Sequence, residues 1–134
     1  VVLLLQGRIE FVLLQYAARA LYGPLLAAGV EIYEYRKAYL HAKVAVIDRD
    51  WATVGSSNID PFSLWLAREA NVVIEDADFA GRLRASLNAE MQEGARPVAP
   101  EQWSRLPLWR RVQIWICYGI VRVLMGVAGY ADQL

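Results

Sequence analysis

Short apolar runs of strand length, alternating with stretches of helical spacing, constrain the fold of this chain more than any other feature. Val1 to Leu5 is apolar throughout and too short for a stable helix, so it reads as a core strand. From about Ile9 to Ala28, Leu13, Leu14, Ala17, Leu21 and Leu25 follow helical spacing, and Gly29 stands where a left-handed C-cap is wanted. Pro24 inside that stretch predicts either a kink or the start of a second short helix. Val30 to Tyr35 alternates as a half-wet strand, with Glu34 out of phase. The opening order is therefore β-α-β, and the predicted class is α/β.

The same alternation continues. Leu40 to Ile47 and Trp51 to Val54 flank the turn Asp48-Arg49-Asp50 and predict a buried hairpin, and Ala70 to Ile74 supplies another strand. Asp76 is placed to cap an amphipathic helix over Ala77 to Met91. The composition agrees: 134 residues with 57% apolar positions, 14 basic and 14 acidic groups and one cysteine exclude a disordered tail and a disulfide scaffold. One domain with a real core is expected.

The C-terminal end differs in kind. Pro97, Pro100 and Pro107 predict that residues 94–107 form a linker between a unit over 1–93 and a membrane-associated helix over 108–134. About 19 residues of helix from Val112 to Tyr130 would reach about 28 Å, close to the hydrocarbon thickness, but Arg122 near the middle costs about 3 kcal/mol on the insertion scale. Arg111, Trp115, Tyr118 and Arg122 share one stripe, while Ile116, Cys117, Ile120 and Leu124 point away from it, a pattern that suits a helix lying in a membrane interface. The competing expectation is a core helix packed on its own domain. Arg96, Arg105, Arg110, Arg111 and Arg122 outweigh Glu101 and Asp132, which favours anionic lipid over nucleic acid, whose binding demands a denser basic run.

The chemistry is concentrated in one motif. His41-Ala42-Lys43, then Asp48, then Gly55-Ser56-Ser57-Asn58 form the pattern H-x-K-x4-D-x6-G-S-x-N. Two residues apart on a strand, His41 and Lys43 emerge on the same face, so an imidazole and an ammonium converge. Lys43 can hold a phosphate oxygen, and Asn58 can donate an amide N–H to another as charge builds on a phosphorus centre. His41 suits either a nucleophile or an acid for a departing alkoxide, and it needs a carboxylate on its second nitrogen, for which Glu69 is the candidate. Singly these residues are turn and surface residues. Their chance conjunction is on the order of once per million chains.

The motif resembles the signature of the phospholipase D superfamily, with His41, Lys43, Asp48, Gly55, Ser56 and Asn58 all matching. The continuation Ser57-Asn58-Ile59-Asp60-Pro61-Phe62-Ser63-Leu64, ending in Glu69-Ala70-Asn71-Val72-Val73-Ile74, is similar to bacterial cardiolipin synthases of the B type. The resemblance implies a phospholipase D-like sandwich, a mixed β-sheet flanked by helices, carrying an apolar C-terminal helix. It implies a double displacement without metal or other cofactor: one histidine takes a phosphatidyl group as a phosphohistidine, a second protonates the leaving alcohol, and an acceptor hydroxyl completes the transfer. The implied substrates are phosphatidylglycerol and, as donor in some relatives, phosphatidylethanolamine. The implied location is the bacterial inner membrane, peripheral or anchored by the 108–130 helix.

The family's site joins two such motifs, and this sequence holds one. Its partner is expected from an N-terminal half of a longer chain, or else from a second copy. In the first case His41 is expected to be the general acid/base. Asp48 is expected to support the hairpin or Lys43, and Ser56 to meet backbone or phosphate. Gly55, Ser57 and Asp60 are expected to support the motif. Two rivals stand beside the transferase: a homodimeric phosphodiesterase or nuclease, against which the net acidic charge of residues 1–94 counts, and a non-catalytic lipid-binding half-domain.

Overall fold

A computed structural model describes residues 1–9, 11–56 and 69–131. Two compact units emerge, one made of Val1–Tyr39 with Gly94–Leu134, the other of Leu40–Glu93.

In the first unit, strand β1 (Val2–Gln6) pairs in parallel with β2 (Glu31–Tyr35), from Val2 opposite Glu31 to Gln6 opposite Tyr35. The connection is helical, as expected for a parallel pair. It consists of two helices, α1 (Val12–Arg19) and α2 (Tyr22–Ala27). The helical stretch expected from Ile9 starts later, at Val12, and of the two outcomes expected at Pro24 the second short helix is the one that forms, because Gly23 and Pro24 lie in its first turn, where a missing N–H leaves no intrahelical bond unmade. Gly29, at φ 78°, ends α2 as expected: its N–H bonds Leu26 O and that of Val30 bonds Leu25 O, the paired closure of a left-handed cap.

Glu34, out of phase in the sequence, is buried on β2 because two cations meet it: Arg19 Nη2 at 2.8 Å and Arg36 Nη2 at 2.5 Å. Beside them the buried hydroxyl of Tyr22 has its pKa pushed up to about 12, first by desolvation and then by the negative charge of Glu34, against the opposing pull of Arg19.

Residues 94–107 are not the linker that their prolines predict. Strand β6 (Ala95–Pro97) adds antiparallel to the free edge of β2, with Pro97 at its end opposite Tyr33. The short helix later in this segment, Pro100–Ser104, starts on a proline at its first turn. Its Trp103 ring lies 5.3 Å from that of Tyr22.

The long C-terminal helix, Leu108–Ala131, packs along α1 through the buried Ile114 with half-buried Cys117, Tyr118, Val121 and Met125. Its other side is exposed and apolar: Leu108, Trp109, Val112, Trp115, Ile116, Ile120, Val123 and Leu124. The helix is thus apolar on both sides: one face packs on its own unit, as the competing expectation has it, and the opposite face is exposed. Among the described residues, no helix is long and apolar enough to cross a membrane.

The second unit is a three-stranded antiparallel sheet in the order β3 (Lys43–Ile47), β4 (Trp51–Gly55), β5 (Asn71–Glu75). A further helix follows over Ala77–Gly94, capped as expected by the Asp76 carboxylate, which accepts the N–H of Phe79 at 2.7 Å. The hairpin forms where the sequence puts it but is only partly buried, with Ile47 and Val54 exposed and Ala52 enclosed.

Candidate active site

Register alone brings the site together. Because β3 and β5 both run antiparallel to β4, the first residue of β3, the last of β4 and the first of β5 form one row: Lys43, Gly55 and Asn71. Side chains paired across an antiparallel sheet share a face. His41 and Glu69 each lie two residues before their strand, beyond the same end of the sheet.

His41 and Lys43 converge as their spacing predicts. Lys43 Nζ lies 2.8 Å from His41 Nε2. An ammonium only donates, so in this contact Nε2 is the acceptor. His41 is exposed and Lys43 half-buried, so the remaining N–H bonds of Nζ are open to an incoming anion. The arrangement can neutralise a phosphoryl oxygen and exchange a proton, or form a bond, at the same atom.

Asp48 is not part of this cluster. It opens the turn at the other end of the hairpin, five residues from Lys43, which at about 3.3 Å per residue puts it about 17 Å away. Its backbone is left-handed, with φ 49°, a conformation that aspartate tolerates, and its carbonyl accepts a hydrogen bond from Arg84 Nη2. Of its two expected roles, pinning Lys43 is excluded by distance.

Ser56 is engaged with backbone. Its hydroxyl accepts the N–H of Ala70 at 3.1 Å and faces Ala70 O at 3.4 Å, while its own N–H donates to Ala70 O at 3.0 Å. These bonds close the β4–β5 end beside the site. Gly55 supports the motif for a steric reason: a Cβ there would fall 2.6 Å from Ala70 O and into the carboxamide of Asn71. Ser57, Asn58 and Asp60 lie outside the described residues. Glu69 is half-buried, and among the described residues no hydrogen bond or ion pair joins it to His41. With β4 between their strands, the two backbones stand about 10 Å apart.

Asn71 also stands in this row, which the motif does not announce. The signal for it is the register, since a polar residue paired with the glycine opposite Lys43 lies on the lysine's face.

Among the described residues no group of three or more His, Cys, Asp and Glu side chains is gathered to hold a metal. Residues 1–91 match the family model described as cardiolipin synthase, PLD-like domain. The chain is 37% identical over 128 residues to cardiolipin synthase B of Escherichia coli K12, covering 96% of this chain and 31% of that protein. It is 36% identical over 128 residues to cardiolipin synthase B of Salmonella typhi, again covering 96% and 31%. To cardiolipin synthase A of Citrobacter koseri it is 37% identical over 110 residues, covering 82% of this chain and 22% of the relative. The chain thus spans about a third of the length of the B-type relatives it matches. No solved structure matches it significantly. A convergent histidine and lysine on the motif's strand, within a match that takes in both sheets' main strands, leave one conclusion: the chain belongs to the cardiolipin synthase family of phospholipase D-like domains.

Proposed function

We propose that residues 1–93 form one catalytic half of a phosphatidyltransferase that makes cardiolipin through a phosphohistidine. The observation that carries this reading is the open 2.8 Å pair of His41 Nε2 and Lys43 Nζ. In the complete site a second motif, from an N-terminal half or another copy of the chain, supplies the nucleophilic histidine. That histidine attacks the phosphorus of a phosphatidyl donor, phosphatidylglycerol or phosphatidylethanolamine. The P–O bond to the headgroup breaks, and His41, entering this step as the imidazolium with Nε2 turned from Lys43 to the leaving oxygen, gives that oxygen its Nε2 proton and is left neutral. In the second step His41 takes a proton from the hydroxyl of an acceptor phosphatidylglycerol, whose oxygen bonds to phosphorus as the P–N bond breaks and its electron pair returns to the imidazole.

Lys43 holds a non-bridging oxygen throughout, and Asn58 contributes a second donor. Glu69, at the same end of the sheet as His41, is the carboxylate that fixes the imidazole when substrate binds. Neither metal nor cofactor takes part. The exposed apolar side of the Leu108–Ala131 helix, bordered by Arg110, Arg111 and Arg122, rests on the anionic surface of the bacterial inner membrane.

The test is incubation of a two-motif protein with labelled phosphatidylglycerol, following cardiolipin and released glycerol. Both products are expected from the parent, and His41→Ala or Lys43→Ala is expected to reduce them at least about a thousandfold with folding retained. Turnover within tenfold of the parent in either variant overturns the reading.

A further inference from the structure

From the geometry just past the ends of the parallel pair β1 and β2 we infer that Arg8 binds the oxygens of a phosphate group, in a phospholipid headgroup or free in solution. The residue belongs to the unit that does not hold His41, and the inference stands apart from the transferase reading. Gly7 gives its N–H to Tyr35 O at 2.8 Å, and a Cβ on it would fall 2.7 Å from that oxygen and 2.8 Å from Arg36 Cγ. Glycine therefore lets the chain leaving β1 press against the end of β2, which brings Arg8 beside it. There one edge of the Arg8 guanidinium is taken up by backbone: Nε donates to Arg36 O at 2.9 Å and Nη2 to Lys37 O at 2.7 Å. The guanidinium carbon also lies over the Tyr39 ring, 5.6 Å from its centroid.

These contacts use one N–H of Nε and one of Nη2, and they use them on neutral carbonyls, so the charge is not offset. The second edge, with both N–H bonds of Nη1 and the other of Nη2, has the fork geometry that takes two phosphate oxygens at once. Arg8 is exposed, and among the described residues no carboxylate forms an ion pair with it. Glu34, the buried acid of β2, is already shared by Arg19 and Arg36. With Arg36 and Lys37 next in the chain, the neighbourhood is positive. A guanidinium held by two carbonyls and an aromatic face has little rotamer freedom left to lose when a ligand arrives. The position agrees, since open sheets with parallel strands take ligands beyond the carboxyl ends of those strands.

The experiment treats the parent protein with phenylglyoxal, which reacts across the two Nη atoms of a guanidinium, and follows the modification of Arg8 by mass spectrometry, with the exposed Arg82 of the other unit as reference. Saturating inorganic phosphate is expected to slow the reaction at Arg8 at least about fivefold relative to Arg82. Phosphatidylglycerol vesicles form the second arm: protection by them as well assigns the site to a lipid headgroup, and protection by inorganic phosphate alone assigns it to a soluble phosphate. Equal rates at Arg8 with and without either overturn the inference. In a phosphate titration followed by nuclear magnetic resonance, the Tyr39 ring resonances, identified by their loss in Tyr39→Phe, are expected to shift saturably in the parent and at least about tenfold more weakly in Arg8→Gln. Identical shifts in a folded Arg8→Gln also overturn it. Product formation by a two-motif protein reports the transferase reading separately, so either reading can fail while the other stands.

Discussion

His41 and Lys43 are separated by one alanine, and that spacing brings two basic heads together where the chain enters β3. This part of the site is legible in the sequence, since period-two spacing decides it. The letters mislead at Asp48, which reads as a member of the same cluster although the strand between carries it to the far end of the hairpin. Glu34 is harder to read, because its partners come from a helix fifteen residues earlier and from two residues later, just past the end of its own strand. The buried group beside it has a measurable consequence. Tyr22 ionises at about 10 in an unfolded chain and at about 12 here, so the folded state keeps a proton that the unfolded state has lost. The associated stability is full below pH 10 and disappears as pH rises through 12, a difference of about 3 kcal/mol. Urea unfolding at pH 8 and pH 12 is expected to show that loss in the parent and not in Tyr22→Phe; equal pH dependence in both would contradict the assignment.

At the scale of elements, the parallel pair β1 and β2, the hairpin and the capped helix after Asp76 follow from alternation, helical spacing and cap chemistry. Strand β6 does not, because three residues ending in proline carry no period and pair only because the edge of β2 is open. The C-terminal helix is legible as apolar, but its orientation is not: α1 takes the side bearing Ile114, and the aliphatic side turns outward. Two substitutions separate these faces. Ile114→Ala is expected to cost about 3 kcal/mol in urea unfolding through the cavity it leaves against α1. Ile120→Asp is expected to leave stability within about 0.5 kcal/mol and to reduce co-sedimentation with phosphatidylglycerol vesicles at least about tenfold. Undiminished vesicle binding in Ile120→Asp would remove this face from the membrane contact.

Across the whole molecule, one unit carries the His41–Lys43 pair and the other carries the long helix with its exposed apolar side, so the proposed chemistry and the proposed surface attachment fall to different parts of one chain. The claim on which the rest depends is that His41 and Lys43 receive one phosphate between them. His41 is the single histidine, so its imidazole resonances need no assignment in a proton–carbon correlation spectrum. Titration with inorganic phosphate is the most direct measurement: the His41 resonances are expected to shift saturably in the parent protein and at least about tenfold more weakly in Lys43→Ala. Resonances that stay still, or that move identically without the lysine, would contradict the account.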